Sequence, residues 1–170
     1  MAVSARWWSL DGCLLLYWWR GLAGASLIAR YHALHDDSSW GRKMAKYGDV
    51  ALQAVRLAGE GVSPVEAWNL AAASMFPDQH AARVKGCPRS AFLGLCEEGY
   101  VEGIEAGKYT TSVSNKKYAI DLLKLLHEKP HLADLPRKQL WGIVVQGAPK
   151  QHNQQVEVVL ALWRAGLLSI

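Results

Sequence analysis

The chain has 170 residues, 51% hydrophobic and 20% charged, with a formal net charge of +4. These values fit one compact core and exclude wholesale disorder, and the basic excess is far below that of dedicated nucleic-acid binders. Three cysteines, Cys13, Cys87 and Cys96, form no CxxC pair. That count excludes a disulfide framework and a tetrahedral zinc site, and it fits a reducing, cytoplasmic setting.

The first 43 residues differ from the rest, holding five of the eight tryptophans: Trp7, Trp8, Trp18, Trp19 and Trp40. Within them the run GCLLLYWWRGLAGASLIA, Gly12 to Ala29, has nearly the length of a membrane span. Arg20 interrupts it, however, and a central arginine costs roughly 2.5–3.5 kcal/mol on insertion. The same arginine weakens a signal-peptide reading with Ala23-Gly24-Ala25 as the cleavage site, and the charges gather on no single face as a surface-lying anchor would need. The fourth reading is an N-terminal extension of the reading frame, because Met44 opens MAKYGDVALQAVRLAGEG, a clean start to an amphipathic helix. On that reading residues 1–43 stand outside the fold and residues 44–170 form a single helical domain that is stable alone. A membrane partner is not expected unless residues 12–29 insert.

From Lys46 to Gly59, Tyr47, Val50, Ala51, Ala54, Val55 and Ala58 fall on one helical face. SPVE at Ser63 to Glu66 is a capping box with a first-turn proline, and it opens a helix bearing Val65, Trp68, Ala72, Met75 and Phe76. After PDQHAARVKG, Pro88 sits in the first turn of the next helix and Gly99 closes it, with Ala91, Phe92, Leu95 and Cys96 inward. YVEGI and KYTTS, around EAG, alternate as the two strands of a small β-hairpin. Ser114 or Asn115 caps a helix that runs to about Glu128 and stops at Lys129-Pro130. A further helix follows Pro136, and the last spans roughly Gln154 to Ala165, ending at Gly166. The fold class expected is mainly α: about six helices with a small hairpin.

Two segments echo each other. AFLGLCEEGYV, Ala91 to Val101, aligns without gaps to VVLALWRAGLL, Val158 to Leu168, which suggests two related helical-hairpin halves, 46–101 and 136–168. Chance similarity of a helix-glycine-apolar pattern is the competing explanation.

Signals for catalysis are sparse. Glu97 and Glu98 are neighbours on a helix, pointing about 100° apart, and cannot flank one bond as acid and base. Cys87, beside Lys85 and Arg89 at a helix N-terminus, has the electropositive setting of a reactive thiol, with His80 as a candidate base, yet no acid to orient that histidine can be named. The histidines show no metal-ligand spacing, and GYVEGIEAG is no dinucleotide fingerprint. No metal or cofactor is expected, and an enzyme is less expected than a binding module.

Helix, loop, helix, hairpin is the pattern of a winged helix. If it bound nucleic acid, Arg89 and Ser90 would enter the groove while Arg83, Lys85, Lys108, Lys116 and Lys117 touched phosphate. The alternative is a protein-interaction or homodimerisation domain with the same packing. The elements KYGDVALQA, SPVEAW, KGCPRSAFLGLCEEGYVEGI, KYTTSVSNKKYA and HNQQVEVVLALWRAGLL together resemble a small family of uncharacterised bacterial proteins, a domain of unknown function, from about Met44 to the C-terminus. That resemblance implies a compact domain and supplies no activity or site residue.

Overall fold

Apolar residues recurring at helical spacing dictate the architecture of residues 46–170, the part of the chain that the computed structural model describes. The run Gly12–Ala29 and the start at Met44 lie outside those residues.

Helix α1, Lys46–Gly59, buries Tyr47, Val50, Ala51 and Ala54, the face that the spacing predicts. A turn with Gly61 at φ 94° carries the chain into α2, Pro64–Met75. Ser63 starts α2 by accepting a hydrogen bond from the Glu66 N–H at 3.3 Å, which satisfies one of its orphan amides. The two helices pack against each other, and Trp68 of α2 meets Phe92 with ring centroids 5.2 Å apart.

A four-residue helix, α3, His80–Arg83, leads into α4, Gly86–Glu97, which buries Ala91, Phe92, Leu93, Leu95 and Cys96. Lys85 is the N-cap of α4, so Cys87 stands inside the first turn rather than before it. Helix α5, Val113–Glu128, is the longest, followed by a 3-10 turn, Pro130–Asp134. It begins at Ser112, earlier than the cap expected at Ser114 or Asn115. The chain closes with α6, Arg137–Val144, and α7, Gln155–Arg164.

Helix α7 is the hub. Residues 155–160 are all buried, because α7 packs against α1, α4, α5 and α6 at once. A helix apolar all round is the sequence form of such a position. Helices α4 and α5 approach closely at Gly94, where a Cβ would lie 2.8 Å from the Cα of Lys116.

Six helices have eight residues or more, which agrees with the expected mainly α class. The hairpin is a correction: among the described residues no strand forms, and the only pairing is an isolated antiparallel bridge between Val101 and Leu168. The first expected strand bonds to the C-terminal tail instead, with the Glu102 N–H donating to the Leu167 carbonyl and the Ser169 N–H to the Tyr100 carbonyl, both at 3.0 Å. The second cannot pair because the Glu97 carboxylate takes the N–H groups of Tyr109 and Thr110, at 2.8 and 3.0 Å.

The ends of α4 and α7 share one geometry. The Gly99 and Gly166 N–H groups donate to the carbonyls of Cys96 and Trp163, and the Tyr100 and Leu167 N–H groups to those of Leu95 and Leu162. These are the same positions of the two aligned segments, and the bridged residues Val101 and Leu168 are also equivalent in that alignment.

Candidate functional site

The expected nucleic-acid residues fall into two groups at opposite ends of α4, which its 12 residues make ~18 Å long. Arg83, Lys85, Arg89 and Ser90 lie at the N-terminal end with Cys87, all half-buried. The Lys85 ammonium stands 5.6 Å from the centroid of the Tyr47 ring, whose hydroxyl donates to the Ala82 carbonyl. Arg83 Nε is buried with no hydrogen-bond partner among the described residues. Cys96, by contrast, is fully buried, and burial pushes its thiol well above the ordinary range.

At the C-terminal end two of the three lysines have carboxylate partners. Lys116 bridges Glu97, at 2.6 Å, and Glu98. Lys117 pairs with Asp121 at 2.6 Å, and Lys108 is exposed on the loop. Glu97 is a structural hub. Its hydrogen bond from Lys116, and then those from the Thr110 and Tyr109 amides, lower its pKa from 4.5 to about 2. The Lys116 ammonium is raised in turn, first by Glu97 and then by Glu98.

This hub forms one end of an open groove of about 400 Å³. One wall is the extended stretch Thr110, Thr111 and Ser112; the other is a stripe of α5 made by Val113, Lys117, Ile120, Asp121 and Lys124. Val113 is 80% exposed at its mouth. Glu97 ties residues 109–110 and Lys116 of α5 to the end of α4, and Gly94 lets α5 come down onto α4.

Behind the groove runs a chain of side-chain hydrogen bonds that sequence reasoning missed. Ser112 Oγ accepts from Asn115 Nδ2 at 2.9 Å, Asn115 Oδ1 accepts from Gln155 Nε2 at 3.0 Å, and Gln155 Oε1 accepts from the Asn153 N–H at 2.8 Å. Gln155 is 3% exposed, so each bond replaces one to water, and losing a partner there strands a buried polar group.

Asn153 belongs to the loop between α6 and α7. That loop is anchored by the Trp141 indole N–H, which donates to the Lys150 carbonyl at 2.8 Å, and by His152, whose Nε2 lies 2.9 Å from Oε2 of the buried Glu157. Neither of those two atoms makes an aligned hydrogen bond among the described residues. The His152 ring packs against Trp141, which meets Tyr118 edge-on at 5.2 Å. Gln146 and Gln154, at the two ends of the loop, hold left-handed conformations at φ 51° and 71°, each costing about 1 kcal/mol. The available signal was QHNQQVEVV: five consecutive polar residues, then a lone carboxylate inside an apolar helix.

Among the described residues no group of three or more His, Cys, Asp or Glu could hold a metal ion, and no helix is long and apolar enough to cross a membrane. Fold and site together define an all-helical domain built around a central helix, with an open groove at the junction of α4 and α5. The chain belongs to a family of unknown function, DUF6979, which it matches over residues 44–169. No curated protein and no solved structure matches it.

Proposed function

We propose that the domain is a protein-binding module whose groove between residues 110–113 and α5 takes an extended, acidic peptide segment of a partner. The groove itself carries this reading, because it joins hydroxyl groups, the exposed side chain of Val113, Ile120 and two outward lysines, Lys117 and Lys124, along one line. Hydroxyls along a wall suit an extended backbone, apolar positions give side-chain selectivity, and lysines at the rim favour an acidic sequence.

A nucleic acid fits this end less well. Residues 46–170 carry 14 lysines and arginines against 12 acidic residues, and Glu97, Glu98, Glu102 and Glu105 crowd the same end of α4. A polyanion gains affinity by neutralising phosphates with free cations, and here Lys116 is already held by two carboxylates, Glu97 and Glu98. The second reading, nucleic-acid binding, rests instead on the cluster Arg83, Lys85 and Arg89, where the first turn of α4 carries no acidic residue.

NMR titration distinguishes the two. Acidic extended peptides should shift the amides of Thr110–Val113, Lys117 and Lys124, and the double substitution Lys117→Glu and Lys124→Glu should weaken that binding about tenfold. An oligonucleotide that shifts Arg83–Arg89 while the peptides shift nothing overturns the first reading in favour of the second.

A further inference from the structure

We infer that the loop from Gln146 to Gln154 is a strap whose closure sets the shape of the groove, acting through Gln155 and Asn115. The inference concerns regulation of the groove and so rests on the reading above for its purpose, but not for its test.

The strap is tied lightly. The backbone hydrogen bonds given by residues 146–150 reach no further back than Gly142, so they fold the loop on itself and do not fasten it to the rest of the domain. Among the described residues, what fastens it is the packing of the His152 ring on Trp141 and three polar contacts: Trp141 Nε1 to the Lys150 carbonyl, the close approach of His152 to Glu157, and the Asn153 N–H to Gln155. Left-handed glutamines at both ends add strain that opening relieves. A segment with few ties and strained ends belongs to the low-stability part of a fold and opens as a unit.

Its third tie leads to the groove. Gln155 is buried on the central helix and holds the strap with its oxygen and Asn115 with its nitrogen. Asn115 then holds Ser112 Oγ, which is itself part of the groove wall. When the strap lifts, Gln155 loses the partner that fixes its amide, and Asn115 and Ser112 lose the orientation that follows from it. Because Ser112 Oγ is occupied by Asn115, it does not cap the free amides of α5; released, it can turn toward them and change the wall. Strap closed is therefore groove open in its present form.

Amide hydrogen exchange on the peptide-free protein tests this. His152→Ala should speed exchange of Gln151–Asn153 about tenfold and that of Ser112 about threefold, and slow that of Ser114, which the released Ser112 hydroxyl can reach, with the amides in the interior of α7 unchanged. In a Gln155→Met background the same substitution should still speed the strap and leave residues 111–114 unaffected, a non-additivity that assigns the coupling to Gln155. Denaturant-dependent exchange of the unsubstituted protein gives the same answer without a variant, because strap and wall should share one opening step. A strap that loosens with the wall unaltered, a wall effect that survives Gln155→Met, or changes seen only in step with α7 would overturn the inference. Since no peptide is present, failure of peptide binding refutes the groove reading alone.

Discussion

Glu97 illustrates how a single carboxylate can replace a secondary-structure element. It accepts two backbone amides and one ammonium, so the segment that would have formed a second strand is held as an extended wall. Its folded pKa of about 2 lies below the ordinary 4.5, so the ionised carboxylate stabilises the fold fully above about pH 4.5 and loses that contribution as pH falls toward 2. Glu97→Gln should destabilise the protein by about 1–3 kcal/mol at neutral pH, and denaturant titrations should show the gap to the parent narrowing between pH 4.5 and 2. A constant gap across that range would contradict the assignment. Neither the hub nor His152–Glu157 was legible in the sequence, since each joins residues whose separation carries no periodic signal.

At the scale of elements, helix starts and stops were read well, because capping chemistry is local: Ser63, Pro64, Gly99, Lys129-Pro130 and Gly166 act where they stand. Gly166 offers a direct check. Its φ is 68°, and nothing lies within 4 Å of a Cβ built there, so only backbone conformation opposes a side chain. Gly166→Ala should therefore cost about 1 kcal/mol and lower the melting temperature by roughly 4 °C, as read by thermal unfolding. The hairpin failed at the same scale because alternation tells which residues suit a strand and not what they pair with. Val101 found Leu168, and the amides of Tyr109 and Thr110 found a side chain.

For the whole molecule, one buried cluster runs from Tyr47 to Leu162 and takes residues from all six longer helices. Residues 44–170 expressed alone should consequently unfold in one cooperative step, measured by circular dichroism, with a melting temperature within about 5 °C of the full chain. Loss of the helical signal in that fragment, or two separate transitions, would show that the core needs more of the chain.

The sequence by itself determined the mainly α class, the limits of most helices and the apolar faces they bury, because periodicity and capping are written in neighbouring residues. The gapless alignment of Ala91–Val101 with Val158–Leu168 even marked two helix ends that share the same hydrogen bonds. Only the tertiary structure decided which polar groups meet. Lys116 was read as a phosphate contact, and it is a partner of Glu97 because α5 descends onto Gly94; Gln155 reaches Asn115, 40 residues away, because α7 lies at the centre. Burial makes such pairings obligatory, since a polar atom removed from water must find a partner, but which partner depends on how the helices pack.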